Sequence, residues 1–348
     1  MFSFDGIIFI FMFNIIIGID ISKKKTDWCT MIGKQVVEKA KVGNTTVEIE
    51  EHLSALLHQL NVEREDVLVC AEYTGKYIYP LTEACGNQKI FLWMENAYLI
   101  SLSAKKERGK SDSVDARRIA EYARKNQEDA KAYRKQSYNI VRLKQLLSMR
   151  LDFIVEEAKY NAKVRDNKGY MPDKIYKECS KAWAAMAKGA ACQVKHLEGE
   201  IDQLINADQT LRRQRALLLS IPGIGPITAL QLIAATAAFA SFSDARKFCC
   251  YIGVAPFSYN SGTSVHSSNR VSDRANKDLK KQLHIAAMAA STVCKSGTFR
   301  KYFERKVSEG KNKMSVLNAV RAKLVCTAFA VIRQDKPYDP KHVYLVKS

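Results

Sequence analysis

Apolar positions fall along this chain in two textures. Residues 14–21 are a β-branched run, which predicts a strand. Residues 27–32 and 35–41 read as two further strands of an antiparallel meander. Over 45–60, Val47, Ile49, Leu53, Leu56, Leu57 and Leu60 recur at helical spacing. Residues 67–71 and 89–93 are short apolar runs and read as buried strands, and 113–126 read as a helix. Strands alternating with helices predict an α/β layer on a mixed sheet.

Beyond about residue 131 the pattern is helical. One stripe carries Ile140, Leu143, Leu147, Leu151, Ile154, Val155 and Ala158 over 138–165. A second carries Trp183, Met186, Val194, Leu197, Ile201, Leu204 and Ile205 over 181–206, and the polar stretch 166–173 interrupts the two. This predicts two long helices in an antiparallel coiled-coil hairpin, a device for oligomerisation or equally for packing within one chain. From 209 the chain is helical with interruptions: a Gly-rich turn at 221–226, a Ser/Gly/Asn-rich loop at 256–274, and helices at about 276–294 and 313–333. Three domains are therefore expected, 12–130, 131–208 and 209–340.

Charge narrows the partner. Lys and Arg outnumber Asp and Glu 55 to 36, and the net charge is +19. Such a surface suits a polyanion: nucleic acid first, an anionic membrane surface second, with a merely basic protein as the plain alternative. Residues 261–348 hold 18 basic and 6 acidic side chains, so most of the excess lies in the last quarter. The cysteines number nine, with no C-x-x-C, and several lie in apolar runs such as 67–70, which fits buried thiols in a reducing cytoplasm. Residues 7–19 are almost wholly apolar but lack a basic flank and a cleavage site, and about 20 residues are needed to cross a bilayer. No membrane role is expected, and either Met1 or Met12 could be the start.

Five segments could carry chemistry. Gly18-Ile19-Asp20 places an acid at the end of a buried strand, where it can hold a divalent cation against a phosphate. This is the entry strand of ribonuclease-H-like nucleases, but it equally fits a kinase-like strand or a plain turn. Glu72 ends the apolar run Val67-Leu68-Val69-Cys70-Ala71 in the same way, and a solvated strand end would account for it too. Asp112 and Asp115 share one face of the first turn of a helix, where acids also cap amides. Two strand-end acids followed by a paired acid is the order a two-metal nuclease needs. Lys105, Lys106, Arg108 and Lys110 just before would offer cations to a backbone. Gly223 and Gly225 in Ile221-Pro222-Gly223-Ile224-Gly225 resemble a helix-hairpin-helix turn, whose amides approach phosphate; a structural tight turn is the alternative. Lastly, the loop 256–270 carries several serines close to Arg270 and Arg274, among which chemistry alone does not choose.

Taken together, Gly18-Ile19-Asp20, Glu72-Tyr73-Thr74-Gly75, Ser111-Asp112-Ser113-Val114-Asp115, Ile221-Pro222-Gly223-Ile224-Gly225 and Tyr259-Asn260-Ser261-Gly262-Thr263 resemble the transposases of the IS110 insertion-sequence family, the bridge-RNA-guided DEDD serine recombinases. The resemblance spans about 14–340. It implies a ribonuclease-H-like N-terminal domain of the Holliday-junction-resolvase type, with Asp20, Glu72, Asp112 and Asp115 binding Mg²⁺ (or Mn²⁺). It implies a mainly α C-terminal domain in which Ser261 forms a covalent phosphoserine link to DNA. It further implies donor and target DNA, a structured bridge RNA, a homo-oligomer (dimer or tetramer) and a cytoplasmic, nucleoid-associated setting.

Overall fold

A computed structural model describes residues 13–103, 112–242, 244–255, 260–261, 265–266, 275–293 and 297–341, with the side chains of 112, 113, 260, 261, 265 and 266 outside the description. The chain divides into two compact units, Met1–Lys135 and Gln136–Ser348.

In the first unit the elements run β1 (Ile15–Ile21), β2 (Lys25–Ile32), β3 (Gln35–Gly43), α1 (Thr46–Leu60), β4 (Val67–Glu72), α2 (Tyr79–Asn87), β5 (Phe91–Glu95), α3 (Ala97–Ser103) and α4 (Asp112–Lys125). The five strands form one mixed sheet in the order β3-β2-β1-β4-β5. The pairs β1–β2 and β2–β3 are antiparallel, and β1–β4 and β4–β5 are parallel. The α/β expectation is met. Strand β1 is central and apolar on both sides because both sheet faces are covered. On one face Ile15, Ile17 and Ile19 pack with Val67, Val69 and residues of α1 and α2. On the other, Ile16, Leu68, Cys70 and Trp93 pack under α4 through Ala116, Ile119, Ala120 and Ala123. Strand β3 lies at the edge, with one side chain in two exposed. Helix α1 starts at a reciprocal cap: Glu48 N donates to Thr45 Oγ1, which donates to Glu48 Oε2 at 2.6 Å.

In the second unit, α5 (Tyr138–Asp166) and α6 (Asp173–Ala207) lie antiparallel. Asn139 meets Asp208, Arg150 meets Glu198, and the Tyr176 hydroxyl donates to Val164 O, so partner numbers fall on α6 as they rise on α5. Helix α6 starts eight residues before the apolar stripe that announced it, because Pro172 at the cap fixes the start while 173–180 is mostly polar. The base of the hairpin (Ile140, Leu143, Leu146, Leu197, Ile201, Leu204 and Ile205) is buried in one core with the helices that follow. Farther out, Leu151, Val155, Ile175 and Met186 are exposed.

The chain continues as α7 (Gln209–Leu219), α8 (Pro226–Ala235), α9 (Ala245–Tyr251), a two-residue ladder of β6 (Asn260–Ser261) and β7 (Val265–His266), α10 (Lys277–Met288), a π-helical turn (Ala289–Val293), α11 (Thr298–Ser308) and α12 (Lys313–Gln334). The helical C-terminal region is as expected. Helix α12 is long and apolar enough to cross a membrane, but 56% of its apolar window is buried, with Val316, Val320, Leu324, Val325 and Ala328 in the core. It is the central helix of this unit.

Candidate active site

The sheet register brings the N-terminal acids together. Strands β1 and β4 pair in parallel up to Ile19↔Ala71, so Asp20 and Glu72, one residue on, finish level at the same edge. Side chains alternate along a strand, so Asp20 shares the face of Ile16 and Gly18, and Glu72 that of Leu68 and Cys70. This is the face under α4.

Gly18 sets how close α4 comes. A Cβ built there would collide with Ala120 N and Ala116 O and lie 2.7 Å from Ala120 Cα. The helix backbone thus rests directly on β1, with Asp112 as its first residue and Asp115 one turn on. Burial raises the Glu72 carboxyl above the usual range, and the Asp115 charge raises it further. Asp115 Oδ1 also accepts from Arg118 Nη1 at 2.8 Å.

Two carboxylates that the sequence reading did not single out extend this row. Asp27 on β2 is paired with Asp20, and Glu95 on β5 with Glu72. Asp27 is 2% exposed; Oδ2 meets Lys25 Nζ at 3.0 Å, and Oδ1 is buried without a hydrogen-bond partner. Glu95 Oε2 accepts from the Tyr122 hydroxyl of α4 at 3.2 Å, and burial together with that carboxylate pushes Tyr122 up to about 12. Their only signal in the sequence is an acid in or at the end of a strand. Which strand each faces is set by register.

The donor set suits a hard cation: all oxygen, with Glu72 and Asp115 repelling each other and a buried oxygen of Asp27 unsatisfied nearby in the row. Among the described residues no group of three or more His, Cys, Asp or Glu side chains is close enough to hold a metal ion. The Asp112 side chain, the fourth expected ligand, lies outside the described residues.

A stability consequence follows from the Glu72 environment. A carboxyl whose folded pKa is raised opposes folding when ionised. That cost is absent below the unfolded value of about 4.3 and enters as pH rises through the folded value. Glu72→Gln should therefore raise the thermal midpoint of the metal-free protein at pH 7–8, with the gain fading towards pH 4 in a pH series of melting curves. A lower midpoint at pH 7–8 would contradict the repulsion.

In the second unit, Ser261 lies in β6, paired with Val265 of β7 across residues 262–264. Its side chain is outside the described set, as are Lys105, Lys106, Arg108, Lys110, Arg270 and Arg274. Gly223 and Gly225 lie in the turn between α7 and α8. Gly223 has φ +91°, and a Cβ there would fall 2.5 Å from Ala286 O. Close packing on α10 thus accounts for this glycine. Gly225 precedes Pro226 at the start of α8 and has open space where a Cβ would sit.

Two family models match the chain. A DEDD transposase model of the IS110 type covers 17–167, and the transposase model of the IS116/IS110/IS902 family covers 215–304. This chain belongs to that transposase family. The first matched segment contains Asp20, Glu72, Asp112 and Asp115, and the second contains Ser261. Relatives include the pilin gene-inverting protein of Moraxella bovis, 28% identical over 331 residues, which covers 93% of this chain and 98% of the relative. An IS110 insertion-element protein of Streptomyces coelicolor is 28% identical over 149 residues, covering 43% of this chain and 35% of the relative. Among solved structures, Thermus thermophilus RuvC aligns with 34% of this chain and 98% of its own, at 13% identity and a TM-score of 0.27. Membership of the family gives a protein that acts on DNA, and its acid-bearing domain suggests dependence on a divalent metal.

Proposed function

We propose that this transposase cuts and rejoins the DNA of an insertion element through a covalent phosphoserine intermediate at Ser261, with Mg²⁺ or Mn²⁺ held by Asp20, Glu72, Asp112 and Asp115. The observation that carries the reading is the meeting of the β1 and β4 ends with the first turn of α4, where Glu72 feels the charge of Asp115. The mixed sheet order supports a ribonuclease-H-like domain of the resolvase type. A relative matched over nearly its full length is named for inverting a gene, and inversion requires strands to be cut and rejoined.

When bound, the cation would supply charge neutralisation at the scissile phosphate. The acids would hold it, and α4, seated on Gly18, fixes Asp112 and Asp115 relative to the strand ends. The Ser261 Oγ–P bond forms as the P–O3′ bond breaks; the serine proton leaves and a proton passes to the departing 3′ oxygen. That 3′ hydroxyl then attacks a second strand's phosphoserine link and releases Ser261.

Lys105, Lys106, Arg108, Lys110, Arg270 and Arg274, with the turn at Gly223 and Gly225, would hold phosphates, and a bridge RNA would choose donor and target DNA. The exposed apolar residues of the outer hairpin, Leu151, Val155, Ile175 and Met186, suit assembly of a dimer or tetramer. The setting would be the cytoplasm, at the nucleoid.

The test is a denaturing gel of protein incubated with Mg²⁺, element DNA and its flanking RNA. The expected result is a protein–DNA adduct that disappears in Ser261→Ala. Cleavage surviving Ser261→Ala but not Asp20→Ala would mean a nuclease that uses the acids alone. Binding without cleavage would leave a silent DNA-binding protein.

A further inference from the structure

Arg321 of α12 is 7% exposed. A guanidinium stays charged at any working pH, and burying one is unfavourable unless an anion faces it. Other arginines in this chain have such partners: Arg118 meets Asp115, Arg150 meets Glu198, and Arg215 meets Asp202. Among the described residues Arg321 has neutral ones. Nη1 donates to Asn318 Oδ1 at 3.3 Å, and Nη2 lies 2.8 Å from His284 Nδ1 on α10. Its Nε is buried and has no hydrogen-bond partner among the described residues.

The pair fixes the state of the histidine. Arg321 has only donors, so His284 Nδ1 must accept, and the ring proton sits on Nε2. Burial and the Arg321 charge favour this neutral form. The ring is half-buried, and Nε2 has no hydrogen bond among the described residues. The result is an N–H donor with a fixed positive charge behind it.

Its place in the fold suggests what it receives. Asn318, one turn before Arg321, donates Nδ2 to the carbonyl of Val254 at 2.9 Å. Val254 lies just before the 256–274 segment that carries Ser261, and α10 with His284 starts just after it. Through Asn318 the pair is therefore tied to the residue that leads into the serine segment.

We infer that His284 and Arg321 form a receiving site for a DNA phosphate presented to the Ser261 segment, with His284 Nε2 donating to a non-bridging oxygen and Arg321 supplying charge through the ring. Arg321 is then a positioning residue. The inference rests on the reading of this protein as a DNA-joining enzyme.

The test uses the full-length protein, Arg321→Met and His284→Ala, with a fluorescent DNA duplex titrated across a salt series and urea unfolding in parallel. Arg321→Met should keep or raise its urea midpoint, because an apolar chain replaces an unpaired buried charge. Both variants should bind DNA about 10-fold more weakly. Arg321→Met should also lose about one unit from the slope of log affinity against log salt, the share of one phosphate neutralised by a fixed cation, and His284→Ala, which removes a neutral donor, a smaller part of it. If Arg321→Met unfolds at lower urea while both variants keep the parent's slope, the pair is structural and the inference fails alone. If the parent itself does not bind the duplex, the DNA reading fails with it.

Discussion

Asp20→Asn is expected to reduce strand cleavage by about 10³-fold or more, the scale seen when one electrostatic group is taken from a preorganised site. Asparagine has nearly the same shape and ends the same strand, so the sheet register around Ile19↔Ala71 should be unchanged. What disappears is one negative charge at the edge where Glu72 and Asp115 already repel each other. On the proposed reading, removing it would leave too little charge to hold a divalent cation, while a less negative surface should bind DNA at least as tightly. Cleavage rates on a labelled duplex, with binding measured alongside, check both halves. Equal loss of binding and cleavage would mean that Asp20 acts on the fold.

Gly18→Val should be the most damaging single change to the first unit. Its Cβ would fall inside contact distance of the α4 backbone at Ala116 and Ala120, which cannot swing aside as a side chain can. Overpacking of this kind costs about 3 kcal/mol. For a unit of this size that corresponds to a fall of roughly 10 °C in thermal midpoint. The same displacement would draw Asp112 and Asp115 away from the strand ends, so residual folded protein should cleave poorly. A midpoint within a degree or two of the parent, by calorimetry, would show that α4 does not rest on β1 as described.

Much of this was legible in the sequence because buried strands are written as apolar runs. Strands β1 and β4 and helix α4 fall where the patterning predicts, and the acids at their ends are visible as charges that interrupt those runs. Cross-strand register is not written locally. Asp27 and Glu95 join the row only through the β1–β2 hairpin and the β4–β5 crossover. Strand β5 starts two residues later than its apolar run suggests, because the chain leaving α2 passes through Lys89 at φ +56° first. That shift makes Glu95 the last residue of the strand. The role of Gly223 was hidden for a similar reason: the atoms it makes room for belong to Ala286 of α10 and Ala290 of the turn that follows, more than sixty residues on. Arg321 sits in an apolar helical run, where a single charge reads as surface until its neighbours are known.

The serine is the part of the site that depends most on family likeness, so its chemistry is where the proposed reaction is most directly tested. The full-length protein would be trapped in reaction with Mg²⁺, element DNA and its RNA, then digested with protease and nuclease, and the nucleotide-bearing peptide identified by mass spectrometry. A nucleotide linked through phosphate to Ser261 is the expected finding. Cleaved DNA with free 5′ phosphates and no modified peptide, or a nucleotide on a different residue, would contradict it.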